Sequence, residues 1–200
     1  CINEEYTGDI FYKGKQLKNL DYNEKLAYKK DIGYLHGEFG LLSNMTVEQN
    51  IALPLEYHSR LSSAEVKKTV QRLIEEFNLE GCKKLRPIDL SSSEILKTAY
   101  ARAIILDPEL LFIEYAFELQ SLLNIISFDN NLKARAHRED RSVIIITYRP
   151  EKFLDYADVF VMFYNGKIVF NGSREEFLHG NNDYVRQYRN VTEDGPMVML

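Results

Sequence analysis

The sequence predicts an α/β fold built on a parallel sheet and carrying a helical insertion. Leu110-Leu111-Phe112-Ile113 and Ser142-Val143-Ile144-Ile145-Ile146-Thr147 are short and continuously apolar, as strands covered on both faces are. A helical stretch of about 121–137 separates them, which suits a βαβ crossover. Strand-like and helix-like segments alternate along the chain, except that helical spacing alone runs between about 46 and 90 and marks the insertion.

In chain order, Asp9-Ile10-Phe11-Tyr12 is expected as a short strand closed by a Lys13-Gly14 turn, and Ile32-Gly33-Tyr34-Leu35 as a second strand. A helix is expected from about Thr46. The run Ile51-Ala52-Leu53-Pro54-Leu55 mixes apolar residues with a helix-breaking proline and reads as a packed surface turn. Ser62 with Glu65 three residues on has the capping-box form and opens a helix to Phe77, with Val66, Val70, Leu73 and Ile74 on one apolar stripe. Ser91 caps the next helix, whose Ile95, Ala99, Ala103 and Ile104 face one way. Val159 to Phe163 and Lys167 to Phe170 flank Asn165-Gly166, a hairpin turn because both residues tolerate positive φ. Ser173 caps a helix through Phe177, and Tyr184, Val185 and Tyr188 form one stripe of a last short helix. No internal repeat, low-complexity tract or linker interrupts the chain. It reads as one domain over 1–200, with the insertion at about 46–90 and a C-terminal tail at about 182–200.

Composition excludes several classes. Apolar residues at 45% and charged residues at 28% over 200 positions suit a well-cored globular domain. A net charge of −5 argues against a duplex nucleic-acid partner, which demands a basic face. The densest basic run, Lys133 to Arg141, is interleaved with Glu139 and Asp140. The two cysteines, Cys1 and Cys82, fit no ligand motif or disulfide framework and suit a reducing, cytosolic setting. No apolar run approaches the ~20 residues that cross a bilayer. His36, His58, His137 and His179 show no metal-ligand spacing.

Asp89-Leu90-Ser91-Ser92-Ser93-Glu94 precedes Ala101-Arg102-Ala103, Asp107-Pro108 and Leu110-Leu111-Phe112-Ile113-Glu114. This layout resembles the second half of an ABC-transporter ATPase. There the signature L-S-G-G-Q opens a helix reading A-R-A, a D-P turn follows, and an apolar strand ends in D-E, the Walker B acid and the catalytic glutamate. Within that family the wording is closest to the ATPase subunit of bacterial Mla/MCE-type phospholipid transporters. Thr7-Gly8-Asp9-Ile10 with Gly14, Phe39-Gly40-Leu41-Leu42 with Met45-Thr46-Val47, Asn50-Ile51-Ala52-Leu53-Pro54-Leu55, Phe117 with Gln120, and Val185-Arg186-Gln187-Tyr188 with Gly195-Pro196 carry that likeness. The resemblance covers nearly the whole chain. It implies a P-loop NTPase-like core with a parallel sheet, lacking the N-terminal P-loop portion, plus a helical insertion subdomain.

The departures from the family pattern fall on the positions that handle nucleotide. No G-x-x-x-x-G-K-[ST] loop occurs, and by the family layout it would precede Cys1, so ATP and Mg are expected only if such a loop exists upstream. Gly37 stands at the Q-loop glutamine. Ser91, Ser92, Ser93 and Glu94 stand for the signature, with serines in place of two glycines and an acid in place of glutamine. They read either as a vestigial nucleotide-binding signature or as a plain serine cap on a core helix. Glu114 keeps a carboxylate at the Walker B acid and is a possible Mg ligand. Tyr115 replaces the catalytic glutamate, and a phenol of pKa near ~10 takes no proton from water at neutral pH. Losing a positioned base costs roughly 10²–10⁴ in rate. Ser121 replaces the D-loop aspartate, and Tyr148 replaces the histidine that senses the γ-phosphate.

The resemblance therefore implies a degenerate ATP-binding subunit that docks a multi-spanning permease or pairs with another ATPase subunit as a homodimer or heterodimer. A phospholipid cargo is implied by the subfamily alone. The permease groove would be lined by His36 to Leu42 and Asn50 to Tyr57, and the chain would sit in the cytoplasm at the inner face of the membrane. Two other readings stand beside it: an active ATPase with an upstream P-loop, and a stand-alone regulatory protein. In the resembling family the tail joins ATPase subunits, so Tyr188 and Met197 to Leu200 are expected on a second chain.

Overall fold

Lys13 and Gly14 both take positive φ, 49° and 74°, and their turn joins β1 (Phe11–Tyr12) to β2 (Lys15–Gln16) in an antiparallel pair. The expected strand is thus one arm of a small hairpin. The computed structural model describes residues 7–118, 120, 122–155 and 157–198, and the backbone alone for 122–127 and 129. The chain divides into two compact units, Cys1–Ile146 and Thr147–Leu200.

In the first unit, α1 (Tyr22–Lys30) follows a capping box formed by Asp21 and Glu24, and it has no fully buried residue. Strand β3 (Ile32–His36) leads to α2 (Val47–His58), opened by a Thr46–Gln49 capping box, and then to α3 (Ser63–Glu76), opened by Ser62 and Glu65. Pro54 lies inside α2, which corrects the expected surface turn: the helix continues through it, with Ile51, Ala52 and Leu55 buried. A proline in a helix interior costs about 3 kcal/mol. Burying large aliphatic side chains at roughly 1.5–3 kcal/mol each offsets that cost. Helix α4 (Ser92–Ile104) begins at the Ser91 cap, and its deepest face is Leu96, Ala99, Tyr100 and Ile104, whereas Ile95 and Ala103 are only half-buried.

Strands β4 (Leu110–Glu114) and β5 (Ser142–Ile146) flank the crossover helix α5 (Leu122–Ala136). The order β3-β4-β5 is parallel throughout, with Tyr34 opposite Phe112, which lies opposite Ile144. Leu35, Leu111 and Ile113 point to the covered face and are fully buried. The other face is open: Tyr34, Ile144 and Ile146 are 49%, 42% and 39% exposed. The run 142–147 is therefore not a strand covered on both faces, because it lies at the sheet edge with one face bare among the described residues. Gly33 sets the spacing of the covered face. A Cβ there would meet the Ala103 carbonyl oxygen at 2.5 Å and Pro108 at 2.8 Å, so only glycine lets α4 approach this closely. Below, Phe77, Tyr100 and Phe128 pack edge to face and stacked at 5.2–6.0 Å, tying α3, α4 and α5 together.

In the second unit, β6 (Val159–Tyr164) and β7 (Lys167–Ser173) pair around Asn165 and Gly166, with φ of 49° and 72°. The Ser173 cap starts α6 (Arg174–His179), Asn182 caps α7 (Asp183–Asn190), and Phe160 stacks on Phe177 at 4.7 Å. The tail turns back on its own unit. Gln187 donates to the Met197 carbonyl at 2.8 Å and accepts its amide at 2.7 Å, and the Tyr188 hydroxyl donates to the Tyr148 carbonyl at 2.9 Å. Tyr188 and Met197 thus have hydrogen-bond partners in their own unit. Met199 and Leu200 lie outside the described residues.

At the start of β4, Asp107 accepts hydrogen bonds from Arg135 at 3.1 Å and Arg141 at 2.6 Å, with Arg138 at 3.4 Å. The Arg141 bond, followed by the charges of the three arginines, holds its carboxyl below the usual range. A depressed folded-state pKa stabilises above the unfolded value of about 3.9 and is lost as pH falls through the folded value. Asp107 also has φ of 48°, which asparagine tolerates. Asp107→Asn is expected to flatten the fall in urea midpoint of the wild type below about pH 4, measured by denaturation at stepped pH.

Candidate functional site

The carboxyl ends of β3 and β4 bring several of the sequence-predicted residues together. His36 lies directly opposite Glu114, and the chain continues into Gly37 on one strand and Tyr115 on the other. Tyr115 adopts φ of 52° while its amide donates to the Ile146 carbonyl at 2.9 Å, so the turn after β4 is pinned to β5. A Cβ on Gly37 would lie 3.2 Å from the Tyr115 carbonyl oxygen and 3.5 Å from that of Glu114. Any side chain at the Q-loop position would crowd this turn.

Glu114 is engaged from the neighbouring strand. The Tyr34 hydroxyl donates to its Oε2, and His36 Nε2 is 3.9 Å from the same oxygen. The bond to Glu114, with burial second, pushes the Tyr34 hydroxyl up to about 12. The Glu38 amide donates to His36 Nδ1 at 3.1 Å, so that nitrogen presents its lone pair and neutral His36 carries its proton on Nε2.

The loop after Gly37 is fastened by buried or half-buried side chains. Arg102 on α4 donates to the Phe39 carbonyl at 2.8 Å and the Gly40 carbonyl at 2.9 Å, where both residues are left-handed with φ of 62° and 53°. A bulky residue in that region stores on the order of 1–2 kcal/mol of strain. Asn50 on α2 is fully buried; it accepts the Leu42 amide at 2.8 Å and donates to the carbonyls of Leu42, Met45 and Thr46 at 3.0–3.2 Å. The loop's outer side exposes His36, Glu38, Leu42, Ser43 and Asn44. Of the segment expected to complete a docking groove, Asn50, Ile51, Ala52 and Leu55 point inward, and Glu56 and Tyr57 are exposed. A concavity of about 580 Å³ along α2 and α3 is lined by Ala52 and Leu55 of that segment with Val66, Val70, Glu48 and Lys84.

Ser91 and Glu94 form a reciprocal cap. Ser91 Oγ accepts the Glu94 amide at 3.4 Å, while Glu94 Oε2 accepts the Ser91 amide at 2.8 Å and hydroxyl at 2.7 Å. These bonds hold the Glu94 carboxyl below its usual range, and the buried Cys82 thiol adds to them. Burial, reinforced by Glu94, pushes that thiol up to about 11. The Ser91 cap expected from the sequence is formed. Ser92 is exposed and Ser93 half-exposed on the first turn of α4. Tyr148, in the second unit, is 70% exposed. Ser121 lies outside the described residues.

Sequence reasoning passed over Tyr34 and Arg102 as functional candidates, and His36 and Asn50 entered only as members of the expected groove. Tyr34 and His36 alternate on one strand immediately before Gly37, a period-two signal that was available. Nothing local in the sequence joins Arg102 to Phe39, because they meet only through the packing of α4 on β3.

A family model described as "ABC transporter" matches residues 2–116, from before the first hairpin to the turn after β4. The chain belongs to the ABC transporter family. Its sequence is 25% identical over 190 residues to the "Intermembrane phospholipid transport system ATP-binding protein MlaF" of Haemophilus influenzae, covering 95% of this chain and 72% of that one. It is 30% identical over 196 residues to the "Methionine import ATP-binding protein MetN" of Clostridioides difficile, covering 94% of this chain and 59% of the relative. Among solved structures, the dimeric post-hydrolysis state of the ATP-binding cassette MJ0796 bound to ADP and Pi superposes with a TM-score of 0.78 at 19% identity, covering 87% of this chain and 76% of that one. That likeness establishes the fold, an α/β P-loop NTPase-like core.

Arg102→Met removes the bonds to Phe39 and Gly40 while keeping the apolar stem. It is expected to cost about 2–3 kcal/mol in urea denaturation. Amide exchange should accelerate over residues 38–46 and stay unchanged along the Phe77–Tyr100–Phe128 core.

Proposed function

We propose that this chain is an ATP-binding-cassette subunit that has kept its docking scaffold and given up hydrolysis. The observation that carries this reading is the turn after β4. The residue at the catalytic-base position is Tyr115, held left-handed, with Gly37 pressed against its backbone in place of the Q-loop glutamine. The family's usual ligand is ATP with Mg, and the residues at its positions do not fit that group. Glu114 is bonded by Tyr34, Glu94 is bonded to its own cap, and no described residue at these positions supplies a general base. No step of hydrolysis is therefore drawn through them.

What the scaffold offers instead is a rigid loop, 37–46, presented by Arg102 and Asn50. Leu42 on the loop, at 40% exposure, and Tyr57 near the far end of α2, at 80%, are the exposed apolar residues of this segment offered to a partner. The partner class is a multi-spanning permease, with a second ATPase-type subunit, homologous or identical, completing the assembly. No helix among the described residues is long and apolar enough to cross a membrane, which suits a subunit held peripherally at the cytoplasmic face. Phospholipid cargo draws on the likeness to MlaF, and methionine import appears at similar identity, so the scaffold argument carries the docking role and leaves the cargo to the permease.

A second reading is an ATP-hydrolysing subunit whose phosphate-binding loop is supplied by sequence outside these 200 residues; the chain spans 72% and 59% of the two relatives' lengths. One assay separates the readings. Steady-state phosphate release by the full-length protein is expected at background. A kcat near ~1 s⁻¹, within the ordinary enzyme range, favours the second reading. Tyr115→Glu is expected to leave release at background, because Gly37 and Tyr148 are unchanged and Glu114 stays bonded to Tyr34. Recovery on that single change would place the whole defect at Tyr115.

A further inference from the structure

We propose that Tyr34 closes the Glu114 carboxylate to divalent cations, replacing a metal position with a Tyr34–Glu114 hydrogen bond beside His36. This rests on the reading of Glu114 as the family's metal-binding acid, and it concerns the chemistry of that position rather than the turnover of ATP.

The geometry comes from the strand register. Tyr34 and His36 are two residues apart on β3 and share the open face of the sheet, with ring centroids 6.1 Å apart. Glu114 sits opposite His36, and therefore diagonal to Tyr34, within reach of a long side chain across a strand pair. The Tyr34 hydroxyl uses that reach to donate to Glu114 Oε2, the oxygen nearer His36. A hard cation needs several oxygen ligands, with carboxylate lone pairs directed at it. Here one lone pair of Oε2 already holds a proton donor.

His36 reinforces the closure through its tautomer. An imidazole that binds a metal through Nε2 presents a lone pair there and donates its Nδ1 proton to an acceptor. In this protein Nδ1 faces an amide donor, the Glu38 N–H at 3.1 Å, so the neutral ring carries its proton on Nε2, 3.9 Å from the carboxylate. Using Nε2 as a ligand would require its proton to move to Nδ1 and the Glu38 amide to lose its acceptor. Tyr34 donates to the acid that a cation would have to claim, and the His36 nitrogen beside it presents no lone pair.

The probe is manganese ion alone, with no nucleotide, added to full-length protein labelled with 3-fluorotyrosine. The Tyr34 fluorine resonance is assigned by its disappearance in Tyr34→Phe. The inference predicts that this resonance stays sharp as manganese is raised through the millimolar range and that it shifts in Glu114→Gln. Broadening of the Tyr34 signal that Glu114→Gln abolishes would overturn the proposal, because a cation would then be bound at the acid. Absence of any shift in Glu114→Gln would overturn it too, because the hydroxyl would then have no bond to that carboxylate. Glu114→Ala, read the same way, serves if Glu114→Gln fails to fold. Phosphate release is not involved, so detectable hydrolysis with a sharp Tyr34 signal would refute the functional reading and leave this one standing.

Discussion

Helix α4 approaches strand β3 so closely that no side chain fits at Gly33, and the geometry of the first unit follows from that contact. With the Ala103 carbonyl over Gly33, the preceding residue, Arg102, reaches the carbonyls of Phe39 and Gly40 beyond the end of the same strand. The other end of α4 begins at the Ser91–Glu94 cap, and its middle carries Tyr100 into the aromatic cluster shared with α3 and α5. One helix thus fixes the loop beyond β3, the insertion and the crossover helix. Larger residues at Gly33 would have to lift α4 from the sheet, and every one of those contacts with it.

The strand ends show the same economy applied to polar groups. In a working nucleotide site, carboxylates and glycine-flanked amides are left available for a ligand, at a cost that binding repays. Here those positions satisfy one another. Glu94 caps its own helix, Glu114 accepts from Tyr34, and a Cβ at Gly37 would sit tightly, 3.2 Å, against the Tyr115 carbonyl oxygen. Groups with partners of this kind stabilise the fold whether or not a nucleotide arrives, which is the physical sense of the proposal that the scaffold is kept without its chemistry.

Much of the fold was legible from local signals. Capping boxes at Ser62, Ser91 and Ser173 and the Asn165-Gly166 hairpin lie where the sequence places them, because each is decided within four residues. Helix α1 was missed although Asp21 and Glu24 carry the same signature; it has no deeply buried face to give a periodic apolar signal. Pro54 misled because its intrinsic cost was weighed without the packing that outweighs it. The exposure of Ile144 and Ile146 was hidden because an apolar run does not reveal whether one face or two are covered. At the site, the substitutions at Gly37, Glu114 and Tyr115 were readable as departures from a family pattern. Their new partners were not, since Tyr34 meets Glu114, and Arg102 meets Phe39, only across the sheet and the α4 contact.

The central claim is that the nucleotide-handling positions have partners within the protein and do not respond to nucleotide. Hydrogen exchange on the full-length protein, compared with and without saturating MgATP, tests it most directly. The account predicts the same exchange in both conditions for the amides of His36 to Phe39, Ser91 to Glu94 and Glu114 to Tyr115. Protection of these amides on adding MgATP would contradict it.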